Sequence, residues 1–144
     1  MNGKGNCEKM KIDTVRKYLL DTNVMLEAFR GEEPIASRVK SWIESGEIAL
    51  SAVTVAEIVS KASKEEKEKL DLLVSKFGVL PVDQVIAEIA GQYRQDFARK
   101  KKRVYLLDCF IAATAKLFNL ILVTRNYKDY PMKDIKVLLP TSIS

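Results

Sequence analysis

The chain has 144 residues, 47% hydrophobic and 30% charged, with a formal net charge of +5 and a pI near 9.2. That length suits one domain with a real core, and no apolar run nears the ~20 residues of a membrane span, so a cytoplasmic protein without membrane contact is expected. The chain has no histidine, which removes the commonest general base, the Ser-His and Cys-His nucleophile pairs and His-ligated zinc, leaving carboxylates and a hard metal for any chemistry.

Met1 to Lys11 is polar and Gly/Lys-rich, without the apolar stretch of a signal peptide, and leads into a segment to residue 16. Residues 1–16 read as a flexible extension ahead of a single domain over 17–144. Cys7 and Cys109 share no CxxC spacing and read as reduced thiols. Lys17 to Asp21 predicts a strand, and Thr22 to Arg30 a short helix closed by Gly31. Pro34 opens a helix with Ile35, Val39, Trp42 and Ile43 at helical spacing, stopped at Ser45-Gly46. Glu47 to Leu50 predicts a second strand. Ser51 or Thr54 caps a helix to about Ala62, and Ser63-Lys64-Glu65-Glu66 is a capping box that starts another.

Phe77 to Val82 reads as a strand, and Asp83 as the cap of a long helix with apolar Val82, Val85, Ile86, Ile89, Ala90, Tyr93 and Phe97. Leu106 to Phe118 follows as a nearly all-apolar helix, then strands at Leu120 to Thr124 and Ile135 to Leu139 separated by a turn at Tyr127 to Tyr130. The strands show little polar alternation, as parallel strands covered on both faces do. The expected fold is α/β, with a central, mostly parallel sheet of about five strands between helical layers.

Three acids sit in apolar surroundings: Asp21 after Tyr-Leu-Leu, Glu57 in Val-Thr-Val-Ala-Glu-Ile-Val, and Asp108 in Tyr-Leu-Leu-Asp-Cys-Phe-Ile. An unpaired buried carboxylate costs several kcal/mol. Each has a local explanation: Asp21 as the N-cap of its helix, Glu57 as the far half of a capping box with Thr54, and Asp108 in the first turn of a helix favoured by the dipole. Taken together they point to a shared site, because no Lys or Arg in the apolar segments is available to pair with them. Acids brought together bind protons unless a cation lies between them. Oxygen-only ligation suits Mg²⁺ or Mn²⁺. Past the strand ending at Val123, Thr124 can steady a metal-ligating carboxylate, while Asn126 or Asp129 can reach metal-bound water. Each of these last two can equally be a turn residue ahead of Pro131.

The order Leu-Leu-Asp-Thr-Asn, Ser-x-x-Thr-x-x-Glu, Leu-x-Asp-x-x-Ile-Ala-Ala-x-Ala and Leu-Val-Thr-Arg-Asn-x-x-Asp-Tyr resembles PIN-domain ribonucleases, especially the VapC-type toxins. The resemblance spans about Lys17 to Leu139. It implies a three-layer α/β/α sandwich, a Mg²⁺ or Mn²⁺ site and hydrolysis of RNA. The family's acids fall on Asp21, Glu57 and Asp108, and its fourth falls on Asn126, with Asp129 three residues on. It further implies a cognate antitoxin protein and a homodimer.

The basic residues Arg94, Arg99, Lys100, Lys101, Lys102 and Arg103, with Arg125, are candidates for the RNA backbone. The cluster up to Arg103 can equally be a solvated helix end. Exposed aromatics for stacking bases are not evident in the sequence. Two other readings use the same fold: a PIN-like module that has lost catalysis, which Asn126 favours, and a housekeeping RNA-processing nuclease. An aspartyl-phosphate phosphatase is excluded, because it needs a second acid where this chain has Asn23.

Overall fold

The computed structural model describes residues 16–141. Cys7 and the expected extension lie outside them except for Arg16, whose Nη2 donates to the Phe77 carbonyl at 3.0 Å. Four strands, β1 (Tyr18–Leu20), β2 (Ile48–Ala49), β3 (Ile121–Val123) and β4 (Lys136–Leu138), form one parallel sheet in the order β2-β1-β3-β4. Six helices join them among the described residues: α1 (Thr22–Phe29), α2 (Ile35–Glu44), α3 (Ala52–Lys61), α4 (Lys64–Phe77), α5 (Gln84–Arg99) and α6 (Leu106–Leu117). None is long and apolar enough to cross a membrane.

Because strand side chains alternate between faces, the sheet splits its apolar residues between two cores. Leu19, Ala49 and Leu122 pack with Ile86, Ala90 and Tyr93 of α5 and with Cys109, Ile111 and Ala112 of α6. On the other face Tyr18, Leu20, Ile48 and Val123 pack with Met25 of α1, Val39 and Trp42 of α2, Ile58 of α3 and Leu70 of α4. The Tyr18 and Trp42 rings stack there with centroids 3.9 Å apart. The result is the expected α/β/α sandwich, with β1 and β3 at its centre.

The strand expected at Phe77 to Val82 shrinks to a single parallel bridge, Leu80 with Ser51. Leu80 N donates to the Leu50 carbonyl at 2.7 Å and its carbonyl accepts from Ala52 N at 3.0 Å. The neighbours prevent extension: Gly78 has φ +71 and Pro81 has no N–H to donate. Val82 and Val85, expected on the apolar face of α5, are exposed. Its core face is formed by buried Ile86, Ala90 and Tyr93, with Ile89 and Phe97 packed against them partly buried.

Four helices end in the same pair of backbone bonds, closed by a residue at positive φ: Gly31 at α1, Gly46 at α2, Lys101 at α5 and Asn119 at α6. At α1, Gly31 N donates to Ala28 and Glu32 N to Glu27; at α5, Lys101 N donates to Ala98 and Lys102 N to Phe97. This closure normally uses glycine, yet Lys101 adopts φ +57. A side chain in that conformation costs roughly 1–2 kcal/mol. Lys101→Gly is therefore expected to raise stability by about 1 kcal/mol in urea unfolding, whereas Lys101→Gln, which removes only the charge, should leave it nearly unchanged.

Candidate active site

Parallel pairing of β1 and β3 sets the residues just past their carboxyl ends against each other. Asp21 follows β1 and Thr124 follows β3. Thr124 Oγ1 donates to Asp21 Oδ2 at 2.8 Å, and Asp21 Oδ1 accepts from Thr22 N at 2.8 Å. Asp21 N donates to the Val123 carbonyl at 3.0 Å. Asp21 is thus the N-cap of α1 and at the same time half of an inter-strand pair. Both residues are buried.

Glu57 is not part of a capping box. Ser51 caps α3, accepting from Thr54 N at 3.0 Å, which places Thr54 inside the helix and Glu57 a turn further on. Glu57 Oε1 instead accepts from Thr22 Oγ1, across on α1, at 2.6 Å. Thr22 therefore serves Asp21 through its backbone and Glu57 through its hydroxyl.

Asp108 lies in the first turn of α6, whose N-cap Tyr105 makes no side-chain capping bond. Its Oδ1 accepts from the hydroxyl of Tyr130 at 3.2 Å. Burial pushes Asp108 up to about 6, with the carboxylates of Asp129, Asp21 and Glu57 adding to the rise and the Tyr130 bond opposing it. Burial also raises the Tyr130 phenol, helped by Asp21, Asp108 and Glu57. Residues far apart in the sequence therefore share one electrostatic field. Their hydrogen-bond partners here, one backbone N–H and the hydroxyls of Thr22, Thr124 and Tyr130, are all neutral.

Thr22 and Tyr130 are the contributors that sequence reasoning missed. A buried tyrosine generally needs a partner for its hydroxyl, which was the available signal for Tyr130. Asn126 is exposed and donates its backbone N–H to Thr124 Oγ1 at 3.0 Å, while Asp129 is exposed in a short 3₁₀ turn, Tyr127–Asp129. Among the described residues, no three Asp, Glu or Cys side chains are gathered closely enough to hold an ion directly, since each acid is turned toward its own neutral donor. The all-oxygen donor set and its mutual repulsion fit a hydrated hard cation with few protein ligands.

Arg94, Arg99, Lys100, Lys101, Lys102 and Arg103 are all exposed, on α5 and in the loop that leads to α6. Arg125 forks onto Glu27 of α1, with Nε to Oε2 at 2.6 Å and Nη2 to Oε1 at 2.7 Å. Contrary to the sequence reading, exposed aromatics are present: Tyr105 and Tyr127 both stand out in solvent.

Residues 18–136 match the family described as PIN domain. The chain belongs to the PIN-domain family. Its relatives within that family include Ribonuclease VapC10 of Mycobacterium tuberculosis, 32% identical over 114 residues, covering 79% of this chain and 86% of the relative. Another is the tRNA(fMet)-specific endonuclease VapC of Shigella flexneri, 30% identical over 119 residues, covering 79% and 89%. A solved toxin-antitoxin complex from Klebsiella pneumoniae contains a chain 29% identical to this one with a TM-score of 0.69, covering 88% of this chain and 100% of that one. Within that family its similarity is to proteins of the VapC type.

Because Asp108 is held above its ordinary 3.8 in the folded state, its protonated form contributes stability that is fully present below that value and is lost as pH rises through about 6. In chelator at pH 8, Asp108→Asn should therefore unfold at higher urea than wild type, by on the order of 1–2 kcal/mol. The gap should close as pH falls from 6 toward 4; an equal difference at both ends would contradict the raised Asp108 carboxyl.

Proposed function

We propose that the PIN domain, assigned to residues 17–144, hydrolyses RNA phosphodiester bonds with Mg²⁺ or Mn²⁺. We further propose that it is a cytoplasmic homodimeric toxin restrained by a cognate antitoxin. The observation carrying the nuclease assignment is the convergence of Asp21, Glu57 and Asp108 on one field with only neutral hydrogen-bond partners. Three acids so placed are costly to the fold unless a cation or a proton shares the space.

In this reading Asp21 and Asp108 hold the ion, and Glu57 completes its surroundings directly or through water. A bound divalent ion supplies Lewis acidity toward the phosphate and lowers the pKa of water. Thr124 fixes the rotamer of Asp21, Thr22 that of Glu57, and buried Tyr130 backs Asp108 and keeps water from behind it. No side chain need act as nucleophile. Asp129 is our choice for the fourth acid, because its charge acts on Asp108, whereas Asn126 contributes a backbone N–H to Thr124. The basic run from Arg94 to Arg103 draws in the phosphate backbone.

The toxin-antitoxin role rests on the resemblance to the Klebsiella complex. A shallow, largely apolar cleft of about 250 Å³ beside Glu57, between Val53, Ala56, Val82 and Leu107, suits a protein partner. A PIN-like module without catalysis is the second reading, because Asn126 stands where the resemblance calls for an acid.

With Mn²⁺ and an RNA pool, wild type should cleave, and Asp21→Asn and Asp108→Asn should each lose at least about 100-fold; equal activity in all three would exclude hydrolysis at this site. Thr124→Val, which keeps the shape and removes the hydroxyl, should cost roughly 10- to 100-fold. Expression alone should arrest growth and co-expression with the antitoxin should relieve it, whereas harmless expression of active enzyme would favour a housekeeping nuclease.

A further inference from the structure

We infer that Tyr105, with Arg103 against its ring, is a stacking platform that receives an unpaired base of the RNA beside Asp108. The inference rests on the ribonuclease reading and adds a base subsite to it. Three of the other tyrosines, Tyr18, Tyr93 and Tyr130, are buried, but Tyr105 is 57% exposed and its neighbours Leu106 and Leu107 are exposed as well. Its backbone caps α6 while its side chain makes no capping bond. The ring is therefore not needed to start the helix.

Arg103 places its guanidinium carbon 5.7 Å from the Tyr105 ring centroid, within the range of a cation–π contact. This contact steadies the ring and leaves a positive charge beside it. The turn at Lys101 brings the exposed residues Lys102 and Arg103 off the end of α5 and up to the ring. Tyr105 is the N-cap of α6 and Asp108 lies in that helix's first turn, so ring and acid are carried at the same helix end. Cationic strip, aromatic ring and acid thus follow one another in that order along the chain, from the end of α5 into α6.

A cationic strip alone accepts any phosphate backbone. A ring beside it accepts a base only when that base is free of its partner, so this subsite selects single-stranded RNA over duplex.

The test uses the full chain in EDTA, which prevents cleavage, with a short single-stranded RNA carrying 2-aminopurine. Binding should quench the probe; Tyr105→Ala should abolish the quenching and weaken binding about 10-fold, while Tyr105→Trp should restore both. With Mn²⁺, Tyr105→Ala should raise KM for the same RNA about 10-fold with little change in kcat. An unchanged urea midpoint confirms that the variant is folded. Unaltered quenching and KM in Tyr105→Ala would overturn the subsite while leaving cleavage intact. A rise in KM only for Arg103→Gln would also overturn it, because it would reduce the strip to electrostatics. Wild type that quenches the probe but never cleaves would support the subsite and remove the nuclease reading.

Discussion

A carboxylate in an apolar setting survives only if its oxygens are bonded, and Asp21 meets that demand from two strand ends at once. One oxygen takes the N–H that opens α1, and the other takes the Thr124 hydroxyl at the end of β3. That arrangement requires β1 and β3 to be parallel neighbours in register, Leu20 opposite Val123. Open parallel sheets place their sites at such carboxyl ends. The remaining acids are hung from this pair: Glu57 through Thr22, and Asp108 through Tyr130 on the segment that continues from Thr124.

Burial raises Asp108 and the neighbouring carboxylates add to the rise, with no cation among their hydrogen-bond partners, and this works against the folded state. The two cores on either side of the sheet bear that cost. Sites that violate a local rule of stability are where function tends to sit, and here the violation is electrostatic.

Much of this was legible in the chain. The run into Asp21, the Ser63 capping box and the Asp83 cap appear as read, because each rests on short-range bonds that a local sequence dictates. What was not legible depends on partners distant in sequence. Thr54-x-x-Glu57 has the form of a capping box, but Ser51 starts the helix three residues earlier, and only the fold brings Thr22 to Glu57. The strand at Phe77 to Val82 was read from apolar content, which does not register that Gly78 and Pro81 interrupt pairing. Tyr130 looked like part of a turn, and its importance lies in burial against Asp108, 22 residues earlier. The exposure of Tyr105 was hidden because it sits in the same apolar run as Asp108.

Titration of Mn²⁺ into the chelator-treated protein at neutral pH, followed by electron paramagnetic resonance of the free ion, addresses the central claim most directly. The account predicts a saturable site in wild type that disappears when Asp21 and Asp108 are both changed to Asn. Wild-type binding in that double variant, with the fold intact, would contradict a cation site built from these carboxylates.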